Sequence, residues 1–209
     1  MTIALKYTLW AVIAFCSLFL AYITALYFSF DTNLNFLNVK QSLISNNFWM
    51  TSFYIHVGTG ILVMLIGPFQ FLKWLRNKYL EVHRIIGRIY VFTILGFAAP
   101  TGLIMAFYAE GGLWSTIGFS LMSITWFLTT YLAVVAAKNK KIRSHEKWMY
   151  RSYAMSFSAV TLRLLVPAMS IPNFGFSDHF VVVSTAWISW LINLIIIELY
   201  LKIKFKSLT

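Results

Sequence analysis

The sequence has little negative charge and almost no cysteine. Asp and Glu account for 6 of its 209 residues, against 17 Lys and Arg. The single cysteine, Cys16, excludes an intrachain disulfide. No His-Glu-x-x-His, Cys-x-x-Cys, Gly-x-Ser-x-Gly or phosphate-loop motif occurs, so the enzyme classes that depend on these motifs have no support.

Apolar residues are in excess and make up 60% of the chain. This share lies outside the range of soluble domains and within that of membrane proteins. The apolar residues form stretches of about 20 residues, the length that crosses a bilayer as a helix. We therefore expect an all-α fold, a polytopic bundle of six transmembrane helices that forms a single membrane domain over residues 1–209. The stretches cover residues 7–29, 50–72, 87–108, 113–137, 148–170 and 180–203.

The first stretch differs from a secretory signal peptide. Its apolar core exceeds the length of about 7–15 residues found in such signals, and no small-x-small cleavage site follows it. The charge pattern does not distinguish a retained first helix from a cleaved one, because the other five helices keep the same orientation in both cases.

The basic residues occupy alternate ends of the apolar stretches. All except Lys40 and Arg163 lie at the N-terminus, after the second or fourth stretch, or after the sixth. They are Lys6; Lys73, Arg76, Lys78, Arg84 and Arg88; Lys138, Lys140, Lys141, Arg143, Lys147 and Arg151; and Lys202, Lys204 and Lys206. Short basic loops stay in the cytoplasm, so we expect both termini to be cytoplasmic. The net charge of +11 is then explained by basic loops that interact with the lipid bilayer, which we expect as the partner. We expect no binding of nucleic acid.

The fifth stretch carries a polar stripe. Its members recur at steps of 7, 4, 3 and 4 and are His145, Ser152, Ser156, Ala159 and Arg163. At about 100° per residue they lie close to one line along a helix, about 27 Å long. Arg163 therefore lies in the outer part of the hydrocarbon, where an arginine should face the bundle interior or a cavity and be paired. The alternative is that it reaches outward or bonds carbonyls near Pro167.

The four histidines divide by depth. His56 lies two turns below the outer end of the second stretch, at a depth similar to that of Arg163. The side chains of His56 and Arg163, at one depth, could together bind a carboxylate, a quinone oxygen or a haem propionate. His179 lies higher and is interfacial. On the face of His56, Gly60 and Gly67 predict the close approach of another helix.

At the inner side, His83 and His145 each begin a helix after a basic loop, and Glu198 lies near the end of the sixth stretch. These three residues form a candidate site for a divalent metal or for proton exchange. The alternative is that the histidines are solvated and that Glu198 pairs with a lysine or arginine.

The chain resembles a family of uncharacterised bacterial membrane proteins, the one catalogued as domain of unknown function 2306, over about residues 50–200. The resemblance is carried by His56-Val57-Gly58-Thr59-Gly60, Gly67-Pro68-Phe69-Gln70-Phe71, His83-Arg84, Gly87-Arg88, Tyr90, Thr101-Gly102-Leu103, Gly111-Gly112, Gly118-Phe119, His145, Trp148-Met149, Arg151-Ser152-Tyr153-Ala154, Val160-Thr161-Leu162-Arg163, Asn193 and Glu198. Two departures are Glu146, where a basic residue is expected, and Leu191-Ile192, which replace a Val-Pro step.

The resemblance implies a protein of the bacterial cytoplasmic (inner) membrane. It also gives weight to a set of polar residues, namely His56, His83, Arg88, His145, Arg151, Arg163 and Glu198. It implies no activity.

Three hypotheses from different classes follow. The first is a membrane redox protein that binds b-type haem or acts on quinone. Its cofactor-binding residues would be His56, His83, His145, Arg88, Arg151 and Arg163. The second is a small-molecule or proton-coupled transporter, which would need a homo-oligomer because six helices give little room for alternating access. The third is a non-catalytic subunit or assembly factor. Histidine pairing at one depth leads us to favour the first hypothesis.

Overall fold

The computed structural model describes residues 3–206, and of residues 3–6 and Asn173 only the backbone. The side chain of Lys6, part of the predicted basic pattern, lies outside this description. All regular structure in the described range is helical, which confirms the all-α fold. The α-helices are α1 (Ile3–Ala25), α2 (Asn35–Asn38), α3 (Asn47–Ile66), α4 (Lys73–Lys78), α5 (Leu80–Thr93), α6 (Ala99–Ala106), α7 (Gly112–Lys138), α8 (Ile142–Met169) and α9 (Asp178–Lys206). Short 3-10 turns lie at Leu26–Ser29, Gln41–Leu43, Pro68–Phe71 and Pro172–Phe174.

Within residues 3–206, five helical segments are long and apolar enough to cross a membrane. They are Tyr7–Ser29, Asn47–Phe71, Leu80–Ala106, Gly112–Lys138 and Asp178–Lys206. They correspond to the first four predicted stretches and to the sixth. The fifth stretch lies in α8, which is 28 residues long but contains Arg163 and many serines and tyrosines. The count of six membrane-crossing helices and their orientation therefore stay predictions.

The third apolar segment contains a change of helical type. A π-helical turn, Ile94–Ala98, joins α5 to α6. Pro100 follows in the first turn of α6. Its ring lacks an N–H and crowds the carbonyl four residues earlier, and a wider turn at that point relieves the crowding. The segment thus stays helical over its whole length despite an internal proline.

The chain divides into two compact units, Met1–Met105 and Ala106–Thr209. In the first unit, α1 packs against α3, and α3 packs against α5 and the π turn. Trp10 on α1 donates from Nε1 to the carbonyl of Pro68 at 3.0 Å. Trp49, Phe53, Tyr90 and Ile94 form the fully buried centre of this unit. Because lipid is as apolar as this core, these side chains hold the helices together by van der Waals packing and not by the hydrophobic effect.

In the second unit, α8 lies in contact with both α7 and α9. Helices α7 and α9 also approach each other closely at Gly118. A Cβ atom at Gly118 would lie 3.0 Å from Nε1 of Trp187 and 3.1 Å from the carbonyl oxygen of Ala186. A small residue is thus required at this crossing.

The sequence-based prediction of a close helix approach at Gly60 is wrong. Within the first unit, no described atom beyond the neighbouring backbone of α3 itself lies within 4 Å of the position that a Cβ atom would take there. A glycine in an apolar run shows that a close approach is permitted, but the sequence does not say which of several glycines a neighbouring helix uses.

Candidate functional site

His56 is held by a backbone carbonyl of the same unit. Its half-buried ring lies on α3, and its Nδ1 is 2.9 Å from the carbonyl oxygen of Ala98, the last residue of the π turn. A carbonyl oxygen only accepts hydrogen bonds, so Nδ1 carries the proton. In the neutral ring, the lone pair is then on Nε2. This arrangement sets the tautomer that a metal-ligating or proton-accepting histidine uses.

His145 shows the same arrangement in the second unit. It lies in the first turn of α8, and its Nδ1 is 2.9 Å from the carbonyl oxygen of Ala133 on α7. Here too the carbonyl fixes the proton on Nδ1 and the neutral lone pair on Nε2. The sequence singled out both histidines. Their shared geometry, with an alanine carbonyl on a neighbouring helix as acceptor, is visible only in the structure.

His83 lies in the first unit, near the start of α5, and is half-buried. Ala98, whose carbonyl binds His56, lies fifteen residues after His83 on the same helical segment. The distance from His83 to Ala98 along the helix is about 22 Å. His83 and His56 are therefore at opposite ends of this unit and do not converge on one ligand atom. Arg88, one turn beyond His83, has an exposed side chain.

Gln70 is a residue that the sequence-based selection of sites missed. Its side chain is 7% exposed, and within the described residues Nε2 has no hydrogen-bond partner. Its Oε1 lies against Gly87 on α5, 3.2 Å from where a Cβ atom would be. A glutamine within an apolar run, directly after Pro68, is the signal that would have identified it. A buried amide donor is costly unless something accepts its hydrogen bond.

The polar stripe of α8 is buried against α7 along its N-terminal half. Ser152 and Thr130 share a hydrogen bond of 2.7 Å between their hydroxyl oxygens. One turn further, Nε1 of Trp126 donates to the hydroxyl of Ser156 at 3.0 Å. All four side chains are buried, so these hydrogen bonds connect the two helices away from water and lipid.

A second polar face of α8 contacts α9 through Asn193. The amide of Asn193 donates to the carbonyl of Ala154 at 3.2 Å and to the hydroxyl of Ser158 at 3.3 Å. Its Oδ1 accepts from the hydroxyl of Thr161 at 3.1 Å. One side chain thus joins two turns of α8 to α9.

An ion pair lies further along the same helix contact. Arg151 on α8 donates from Nε and Nη2 to the two carboxylate oxygens of Glu198 on α9, at 2.5 and 2.9 Å. The guanidinium also lies 4.5 Å from the ring centroid of Trp148. The sequence analysis predicts Arg151 as a ligand of a haem propionate and Glu198 as a ligand of a metal ion. The structure brings these two residues together, in the arrangement that the alternative for Glu198 expected.

Arg163 lies near the other end of α8 with an exposed side chain. Its Nη1 donates to the carbonyl of Ala159, one turn earlier on the same helix, at 3.3 Å. Within the second unit it does not face a bundle interior. The stripe of the sequence analysis therefore divides into a part buried against α7 and an exposed end.

The three candidate metal ligands are distributed over both units. His83 belongs to the first unit, and His145 and Glu198 belong to the second. Glu198 binds Arg151. Arg151 lies six residues after His145 on α8, which is about 9 Å along the helix axis. Among the residues that the structure describes, no group of three or more His, Cys, Asp or Glu side chains is placed to hold a metal ion. The metal site stays a prediction.

Comparison with known proteins identifies the family. Residues 53–201 match the family described as "Predicted membrane protein (DUF2306)". The chain belongs to this family. The family expected from the motifs is thereby confirmed, and the five apolar segments agree with a protein that has several membrane-crossing helices.

A curated relative matches over a short stretch. Ava biosynthesis cluster protein G of Aspergillus versicolor is 40% identical over 47 residues, which is 22% of this chain and 14% of that protein. The match therefore covers a small fraction of the relative's length. No solved structure matches the chain.

Proposed function

We propose that this member of the DUF2306 family is a membrane redox protein of the bacterial cytoplasmic membrane that binds b-type haem, with His56 as a ligand in the first unit and His145 as a ligand of a separate haem in the second. One observation carries this proposal: each unit holds a histidine whose Nδ1 donates to a backbone carbonyl at 2.9 Å. Such a bond orients the ring and makes Nε2 the nitrogen that would coordinate the iron.

The donor set fits haem iron. Neutral imidazole nitrogens are common axial ligands, and the carbonyls of Ala98 and Ala133 supply the supporting hydrogen bonds. Bound haem would supply one-electron transfer, with a quinone as a suitable membrane partner. Arg88 and Arg163 are exposed and suit the propionates, whereas Arg151 would first have to leave Glu198. His83 would not share an iron with His56, because His83 lies about 22 Å along its own helical segment from Ala98, whose carbonyl holds His56.

Absorption spectra of the detergent-purified full-length protein test the proposal. We expect a Soret band in the oxidised protein and sharpened visible bands after reduction with dithionite. His56→Ala and His145→Ala should each lower the ratio of haem to protein. His179→Ala is the matched control, because His179 is exposed at the start of α9, and this variant should keep the parent ratio. A featureless spectrum from folded protein, expressed with added haem precursor, would reject the haem proposal.

A non-catalytic role is the second candidate. Helix α8 uses its polar side chains in bonds to α7 and α9, as at Ser152, Ser156 and Asn193. A polar network of this kind also serves helix packing alone. It predicts that His145→Ala lowers thermal stability in a protein that carries no haem, so the spectrum separates the two candidates. The transporter hypothesis expected the stripe to line a path, whereas the N-terminal half of the stripe is buried in a helix contact.

A further inference from the structure

A basic groove lies where α8 begins, within the second unit. Its volume is about 410 Å³, and it is open to the surface. The residues that line it are Lys141, Ile142, Arg143, Ser144 and Lys147. Three cations and a hydroxyl thus surround one small space. The positive end of the 28-residue helix α8 adds to the favourable field for an anion.

Two of the groove cations are held in place by the end of α9. Arg143 donates from Nη2 to the carbonyl of Phe205 at 2.7 Å, and its guanidinium lies 5.2 Å from the centre of the Phe205 ring. The ammonium of Lys147 lies 4.8 Å from the same ring centre. Phe205 itself is buried. Because these contacts position both cations in advance, an anion that binds between them loses little side-chain entropy.

The third cation is positioned by the turn between α7 and α8. The amide of Lys140 donates to Ala137 at 3.0 Å, and that of Lys141 donates to Ala136 at 2.9 Å. Lys140 has a positive φ of 56°. These are the bonds of a Schellman motif, with a lysine in the left-handed position that glycine usually takes. The turn is compact, and it places Lys141 at the first turn of α8 beside the other two cations.

Negative charge is scarce around the groove. The sequence has no acidic residue between Glu110 and Glu146. Glu146 accepts a hydrogen bond from the ammonium of Lys204 at 2.7 Å, and Glu198, which lies within the field of Lys147, is paired with Arg151. The charges of both carboxylates are therefore already partly balanced. The groove cations therefore attract an anion from outside the chain.

Ile142 indicates which kind of anion fits. It lines the groove between the cations, and its side chain is 64% exposed. An exposed isoleucine among cations gives a free phosphate nothing to bind, but it can pack on the first carbons of a lipid chain. We propose that this groove binds the phosphate headgroup of an anionic phospholipid, with Lys141, Arg143 and Lys147 as its ligands. Anionic lipids are abundant on the cytoplasmic side, where the sequence pattern places this loop.

Native mass spectrometry of the full-length protein in detergent tests this site. The probes are dioleoylphosphatidylglycerol, dioleoylphosphatidylcholine and inorganic phosphate. The variant is Lys141→Gln/Lys147→Gln, which leaves the bond from Arg143 to Phe205 intact. The matched control is Lys73→Gln/Lys78→Gln, which removes the same charge from α4 in the first unit. Circular dichroism establishes that both variants are folded.

We expect the parent protein and the control to bind phosphatidylglycerol more tightly than phosphatidylcholine. The groove variant should bind phosphatidylglycerol about thirtyfold more weakly, since each of the two cations removed contributes about 1 kcal/mol near a headgroup. Equal losses in the groove variant and the control would overturn the site, because binding would then depend on total charge. Displacement of the lipid by millimolar inorganic phosphate would overturn the assignment to lipid.

Discussion

At the scale of single residues, Gly87 matters for the side chain that it lacks. A Cβ atom there would lie 3.2 Å from Oε1 of Gln70, which is buried and has little room to move. We expect Gly87→Ala to lower the free energy of unfolding by about 1 kcal/mol, although alanine favours helix. Thermal unfolding in detergent measures this.

Gly60→Ala is the control for this substitution. Gly60 lies on α3, and within the first unit no described atom beyond the neighbouring backbone of that helix lies within 4 Å of the added methyl group. Helix propensity alone then acts, and stability should stay unchanged or rise by up to about 1 kcal/mol. Equal destabilisation by the two substitutions would show that the contact between Gly87 and Gln70 has no role.

The sequence identifies candidate residues at this scale but not their partners. His56 and His145 stand out because histidine is rare in apolar helices. Their acceptors, the carbonyls of Ala98 and Ala133, carry no sequence signal because every residue has a carbonyl. Gln70 escaped selection because its burial depends on the position of Gly87, which lies on another helix.

At the scale of helices, the ion pair of Arg151 and Glu198 joins α8 to α9. Glu198→Gln and Arg151→Gln should each lower the free energy of unfolding by about 1 kcal/mol, the upper end for ion pairs near the surface, because the pair is bidentate but the carboxylate is 42% exposed. The double variant should lose less than the sum of the two, because each single change already breaks the pair. Thermal unfolding of all four proteins gives the coupling energy.

Lys202→Gln provides the comparison for the ion pair. Lys202 is exposed on α9, one turn from Glu198, and its removal changes the charge of the same helix. We expect a change of less than about 0.5 kcal/mol. Additive effects of the two substitutions at the ion pair would contradict an energetic role for the contact seen between α8 and α9.

Helix positions follow from the sequence more closely than helix ends. The apolar pattern predicts the third and fifth stretches at 87–108 and 148–170, whereas α5 begins at Leu80 and α8 begins at Ile142. In both cases the early turns carry charged residues, which a search for apolar runs excludes. A helix does not end where its apolar part ends, because its backbone hydrogen bonds continue into the polar region.

At the scale of the whole molecule, labelling single cysteines decides whether α8 crosses the membrane. With Cys16→Ser as background, Lys138→Cys and Phe176→Cys place thiols beyond the two ends of α8. If α8 crosses, an impermeant maleimide should label Phe176→Cys in intact spheroplasts and Lys138→Cys only after permeabilisation. Labelling of both from the same side would reduce the count of membrane-crossing helices to five.

The class of protein is far more accessible from the sequence than its activity. Apolar stretches dictate helices, and an ordered set of short motifs such as His83-Arg84 and Gly87-Arg88 identified the family that the comparison confirmed. Activity depends on where a few polar groups converge. That convergence is set by contacts such as those of Asn193 with α8, which residue spacing does not encode.

The π turn at Ile94–Ala98 sets the angular phase of the helix that contains it. It accommodates one residue more than an α-helical turn, so every side chain after it is rotated by about 100° from the position that α-helical counting gives. Loss of a single residue there would leave a continuous helix but would turn Ala98 away from His56. The number of residues in this helix therefore determines which side chains and carbonyls face α3. A one-residue deletion here should disrupt packing more than a one-residue deletion in a surface loop.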